Sequence, residues 1–110
     1  MHELSIAQGV VDICQQHAGG RRVLAVTLEI GTLSGVVPDA LEFCFEASTS
    51  GTLLEGARLD IERVAATGYC RDCDRTHPIT AYFDPCPACG TFPLEVRSGE
   101  ELRVKDLEVE

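Results

Sequence analysis

The sequence predicts an α+β fold: a small mixed sheet of about three strands with two helices, interrupted by an inserted cysteine-bearing module. Three observations carry this expectation. Apolar residues recur at helical spacing in two stretches, and they alternate at strand spacing in three others. Between the second and third of those strands stand two Cys-x-x-Cys knuckles, Cys70-Arg71-Asp72-Cys73 and Cys86-Pro87-Ala88-Cys89.

The first helix is expected over 5–18. Ser5 and Gln8 have capping-box spacing. Ile6, Val10, Ile13 and Cys14, with His17 one turn on, form a stripe, and Gly19-Gly20 ends it. Cys14 reads as a small core residue. In the strand that follows, Leu24, Val26, Leu28 and Ile30 make an apolar face, and Ala25, Thr27 and Glu29 alternate with them. Gly31 and Ser34-Gly35 turn the chain. Pro38 and Asp39 open a second helix. Leu41, Cys44, Phe45 and Ser48 share one face of it, and Gly51 lies just past its end. Cys44 is expected to be buried. Cys14, Cys44 and an imidazole make one conceivable metal set.

A second strand is expected near 57–64, with Leu59 and Ile61 inward and Arg58, Asp60 and Glu62 outward. Residues 65–68 lead into the first knuckle, and Ser98-Gly99 marks a boundary after the second. The segment 101–110 reads as a third strand. Its apolar phase is Leu102 and Val104, then Leu107 and Val109. The slip at Lys105-Asp106 predicts a bulge or the end of pairing. A lone strand is not stable, so this one must pair with the earlier strands. The domains expected are an α/β domain of 1–67 and 99–110 and an inserted module of 68–98, joined by two linkers short enough to act as hinges.

The knuckles are the most specific chemical signal. Two residues between cysteines let both thiolates turn to one point, and a second pair across residues 74–85 completes an S₄ shell. Such a shell suits Zn²⁺, or iron. The spacing predicts a zinc ribbon. The alternative, two disulfides, is disfavoured because the first residues lack a secretory pattern and cytoplasmic thiols stay reduced. Four cysteines close the coordination sphere, so this metal would hold a fold rather than hydrolyse a substrate.

Composition narrows the function further. In 110 residues there are 18 Asp and Glu against 9 Lys and Arg, a formal charge of −9. Nucleic-acid binding needs clustered cations, so it is disfavoured, and a basic protein partner suits this field better. No apolar run approaches the ~20 residues of a membrane span. A cytoplasmic protein is expected.

The N-terminus is the second notable feature. The bulky His2 predicts that Met1 is retained. The Met1 amine, the His2 amide and the His2 imidazole can form adjoining chelate rings, and a near-planar nitrogen array suits Ni²⁺ or Cu²⁺. Chain amines (reference pKa about 7.7–8.0) and imidazoles (about 6.5) both yield their protons near neutrality when a metal competes. An open, shallow site on a chain end has the traits of a metal carrier.

Taken together, Met1-His2-Glu3, the amphipathic helix, the acidic α/β body and the doubled Cys-x-x-Cys before a final strand resemble the HypA/HybF family of hydrogenase maturation nickel chaperones. The resemblance spans the whole chain. It implies nickel delivery to the large subunit of [NiFe]-hydrogenase precursors together with a HypB-type GTPase. It also implies nickel binding at Met1, His2 and Glu3 and structural zinc at Cys70, Cys73, Cys86 and Cys89. Some members serve urease maturation, which would add urease maturation factors as partners. Some carry histidines beside the knuckles that enter the zinc shell. Here the module's one histidine is His77, before Pro78, and it reads as a solvated loop residue.

Two other readings compete. A rubredoxin-like iron site for electron transfer fits Cys86-Pro87-Ala88-Cys89-Gly90, although the short spacer and few aromatics favour zinc. A zinc-stabilised interaction module would leave Met1 and His2 incidental. An enzyme is the least supported class. The chain shows no nucleophile with a matching His and acid, no phosphate loop, and no open metal site with three strong side-chain ligands.

Overall fold

The computed structural model describes residues 2–110. The element order is α1 (Glu3–Ala18), β1 (Val23–Gly31), α2 (Pro38–Thr49), β2 (Arg58–Val64), β3 (Thr67–Cys70), β4 (Arg75–Pro78), β5 (Glu95–Ser98) and β6 (Leu102–Val109). Two three-stranded sheets result, ordered β2-β1-β6 and β4-β3-β5. The architecture is the α+β arrangement expected, with the second sheet inserted in the chain between two strands of the first.

The chain forms two compact units. Among the described residues, the first holds 2–29, 36–62 and 103–110, and the second holds 30–35 and 63–102. The second is wider than the 68–98 expected for the module, because the turn after β1 belongs to it.

In the first unit α1 packs on α2. The helix begins at Glu3, two residues before the expected start. His2 stands at its N-cap without a side-chain cap bond. The His2 carbonyl already accepts the Ile6 amide at 3.2 Å, so the helical ladder is running before Ser5, and the Ser5/Gln8 capping box is not formed. Gly19, at φ +62°, ends the helix in the left-handed region that glycine tolerates. The buried stripe is Ala7, Val10, Val11, Cys14 and Ala18. Ile13 is exposed instead, as is His17. Small side chains mark the face where another element comes close, and hydrophobicity alone places that face one residue off.

On β1, Val26, Leu28 and Ile30 are buried as expected, but Leu24 is 43% exposed. The Val23 amide donates to the Leu53 carbonyl at 2.9 Å, which ties the strand's start to the loop after α2. Val23 and Ala25 are buried there in place of Leu24. On α2, Pro38 follows the N-cap, and Leu41, Phe45 and Thr49 are buried. Cys44 is only half-buried. Among the described residues no metal-ligating set forms around Cys14 and Cys44. Burial raises the Cys14 thiol pKa, as suits an inert core cysteine. On β6 the slip is visible: Val104, Leu107 and Val109 are half-buried, and Lys105 and Asp106 are both exposed, within one continuous strand. Full burial of Leu28, Leu41 and Leu54 contributes about 1.5–3 kcal/mol each.

In the second unit β3 pairs antiparallel with β4, Cys70 opposite Arg75 and Thr67 opposite Pro78. β5 pairs antiparallel on the other side of β3, with an irregularity between Thr67 and Gly68. The core here is small: Ala66, Cys70, Ile79, Cys86 and Leu94, with Leu33, Cys73 and Val96 packed against it. Three chain passes interlock at its base. The Gly31 amide donates to the Glu101 carbonyl, Thr32 to Val64, and Leu33 to Gly99, at 2.7–3.0 Å. The Ser98 hydroxyl donates to the Ala65 carbonyl at 2.8 Å. These bonds tie both linkers, expected as free hinges, to the turn after β1.

Candidate metal centre

Cys70 closes β3, and Cys73 lies in the tight turn before β4. That turn needs one left-handed residue, and Asp74 supplies it at φ +55°. Aspartate tolerates this region better than most residues. The Tyr69 hydroxyl donates to the Asp74 carboxylate, bracing the turn. The second knuckle follows an aspartate-closed loop, in which Asp84 accepts the Thr80 amide at 2.7 Å and the Thr80 hydroxyl at 2.9 Å. Those bonds, the Thr80 amide first, hold the Asp84 pKa below its usual range. Cys86 and Cys89 are then folded back by two backbone bonds. Gly90 donates to the Cys86 carbonyl at 2.8 Å, and Cys86 to Thr91 at 2.9 Å.

All four Sγ atoms lie within 4.8 Å of one another. Cys70 and Cys89 are 3.6 Å apart, and Cys73 and Cys86 are 3.7 Å apart. A disulfide would bring sulfurs to about 2.05 Å. A tetrahedron with Zn–S bonds of about 2.3 Å has edges of about 3.8 Å. The four thiols are therefore arranged to hold one metal ion, and none forms a disulfide. Cys70 and Cys86 are buried, Cys73 is half-buried and Cys89 is exposed.

Sequence reasoning missed one participant. The Thr91 hydroxyl sits 3.1 Å from Cys89 Sγ and 2.7 Å from Asp72 Oδ2. It can donate to the thiolate, or accept from the thiol while donating to Asp72. That hydroxyl, with the Thr91 amide, pulls Cys89 down to about 6. Cys73, hydrogen-bonded to Cys89 and Cys86, is pushed up to about 12. Cys89 is thus the thiolate ready for a metal, and Cys73 must lose a proton as the metal arrives. The only sequence trace of this device is a hydroxyl residue two positions past a knuckle.

The pH consequence has a definite sign. A lowered Cys89 pKa keeps the thiolate available down to about pH 6. Thr91→Val removes the hydroxyl and moves that pKa back toward 9.0. On acidification the variant should release its metal at a higher pH than the parent. A colorimetric metal-release titration reads this directly. Superimposable release curves would remove Thr91 from the site's chemistry.

The other expected residues are placed as follows. Met1 lies outside the described residues. His2 is exposed at the head of α1, and Glu3 follows in the first helical turn. Glu3 Oε2 is sealed from solvent and has no hydrogen-bond partner among the described residues. His77 is not in a solvated loop. It lies on β4 opposite Gly68, half-buried, with Nε2 sealed and unpartnered among the described residues. Strand pairing with β3 draws it in. His17 donates from Nδ1 to the Ile13 carbonyl at 2.9 Å. Among the described residues no helix is long and apolar enough to cross a membrane.

Comparison with known proteins agrees with this arrangement. The sequence model of a family described as hydrogenase/urease nickel incorporation, metallochaperone, hypA matches residues 1–109. A hydrogenase maturation factor HypA from Geobacter metallireducens is 70% identical over 110 residues, covering both chains completely. Its counterpart from Azotobacter chroococcum is 48% identical over the full length of both. The solution structure of the Ni metallochaperone HypA from Helicobacter pylori superposes with a TM-score of 0.71 at 25% identity, covering 99% of this chain and 97% of that one. The chain belongs to the HypA family, the nickel-incorporation metallochaperones of hydrogenase and urease maturation.

Proposed function

We propose that the chain carries Ni²⁺ on its N-terminus, through the Met1 amine, the His2 imidazole and the backbone at His2 and Glu3. It hands the ion to the large subunit of a [NiFe]-hydrogenase precursor in concert with a HypB-type GTPase, in the cytoplasm. The observation that carries this reading is the position of His2. In a chain of this family it stands exposed at the N-cap of α1, one residue from the terminus. An imidazole held there is reachable by solvent and by a receiving protein, as a donated ion requires.

The labour divides along the chain. The unit of 2–29, 36–62 and 103–110 is the nickel-binding part, and the ribbon within 63–102 is where Cys70, Cys73, Cys86 and Cys89 hold structural Zn²⁺. The thiolate-only donor set and tetrahedral spacing support zinc there. The nitrogen-rich terminus supports nickel. The two sites differ in softness and openness, so each retains its own metal.

The test is isothermal titration of nickel into three proteins: the native chain, one extended by a single residue before Met1, and His2→Ala. The extension converts the amine into an amide, and the substitution removes the imidazole. Each should weaken nickel binding by about a hundredfold or more. Zinc content and the helical circular-dichroism signal should stay unchanged. Nickel binding of native strength in the extended protein would rule out the terminal chelate. A red colour in the purified protein would assign iron to the four cysteines.

A further inference from the structure

A groove between α2 and the chain entering β2 shares no residue with either proposed metal site. Its volume is about 400 Å³. Phe45, Ala57 and Leu59 supply an apolar floor, and Glu42 and Glu46 stand over it. Both glutamates are exposed. Phe43, beside Glu42 on the same helix, is 75% exposed, the highest value among the described large apolar side chains.

Helix stability does not account for this arrangement. Glu42 and Glu46 are four residues apart, so their charges face each other and repel. Among the described residues the ion pairs go to other carboxylates: Asp60, Glu95, Glu29 and Glu62. Neither Arg22 nor Arg58 forms an ion pair with these two carboxylates. Arg22 donates to the Glu55 carbonyl at 2.7 Å, and Arg58 pairs with Asp60 at 3.0 Å. Among the described residues, the groove therefore presents two carboxylates that no ion pair engages, above an apolar floor and with an exposed aromatic ring nearby.

Charge selects the occupant. Nucleic acid and anionic lipid would meet the two carboxylates and a chain of net charge −9. A second copy of the chain would bring the same excess of negative charge. A protein segment that sets Lys or Arg beside an aliphatic side chain complements every part. Its apolar group covers Phe45 and Leu59, its methylene stem lies along Phe43, and its cation ends between Glu42 and Glu46. We propose that this groove docks a basic, apolar-anchored segment of a protein partner. The proposal does not depend on the terminal nickel site.

The experiment uses the ¹⁵N-labelled full chain and two blocked hexapeptide probes, one alternating lysine with leucine and the other alternating glutamate with leucine. The lysine probe should shift amide resonances of 42–49 and 56–59, and the glutamate probe should not. Glu42→Gln/Glu46→Gln should weaken the lysine probe about tenfold. Phe43→Ser should weaken it as well. Glu42→Lys/Glu46→Lys should invert the preference, binding the glutamate probe instead. All three variants change exposed side chains, so nickel titration and helical signal should match the native chain. Shifts scattered over other acidic surface would overturn the proposal, as would unchanged affinity in the Gln variant or no inversion in the Lys variant. Concentration-dependent dimerisation abolished by Phe43→Ser would overturn it in favour of self-association.

Discussion

Cys73→Ala should strip the four-cysteine site of its metal and disorder residues 63–102, while α1 and α2 stay folded. The small core of the second unit explains the size of this effect. Of its five buried residues, Cys70 and Cys86 are themselves members of the four-thiol set. Ala66, Ile79 and Leu94 remain, too few to offset the ordering of some forty residues. Binding of a structural zinc contributes about 10–16 kcal/mol in small modules, and removing one of four thiolates forfeits much of it. The first unit has its own core, with Leu28, Leu41 and Leu54 fully buried. Metal analysis paired with an amide correlation spectrum checks both halves. Stoichiometric metal with undiminished dispersion at 63–102 would contradict the first half. Loss of the helical circular-dichroism signal would contradict the second.

Gly31→Ala should destabilise the protein by on the order of 4 kcal/mol. A Cβ added at residue 31 would fall on the Gly99 carbonyl, with the Glu100 nitrogen 2.6 Å away. Those are backbone atoms, fixed by the bonds from Leu33 to Gly99 and from Gly31 to Glu101. They can give way only by breaking the interlock. Gly9→Ala is the control, because an added Cβ on α1 meets nothing within 4 Å. There the substitution should stabilise by up to about 1 kcal/mol, through helix propensity. Urea titrations of the pair should move in opposite directions. Equal midpoints would mean that residues 31 and 99 separate without cost.

The features legible in the sequence are those encoded by neighbours in sequence. The knuckles were legible because two cysteines three positions apart define their own geometry. The slip in β6 was legible because Val104 and Leu107 carry it locally. The head of α1 was misread because a backbone bond from Ile6 to His2 started the helix where Ser5 seemed to cap it. Its buried face was misread because Ala7 and Ala18 weigh little in a hydrophobic pattern, although both are buried. His77 and the membership of residues 30–35 in the second unit were missed for a different reason. Their surroundings come from β3 and from residues 64–66 and 98–101, and such long-range pairings leave no periodicity to read. Thr91 belongs to the same group, since its place between Cys89 and Asp72 depends on how the knuckles fold back on each other.

The interlock also bears on the order in which the chain assembles. The sulfurs of Cys70 and Cys89 close a loop of nineteen residues. The bond from Gly31 to Glu101 closes one several times longer. Loop-closure entropy favours the shorter loop by about 1 kcal/mol, before any metal is counted. A metal ion gathering the knuckles early would shorten the effective path between residues 64 and 99 and bring those two passes to the turn at 31–33 already side by side. Non-local pairings of this kind slow folding. The four cysteines would then act as a nucleus, and the supply of free metal during synthesis would set how long the chain stays exposed to proteases before its base is locked.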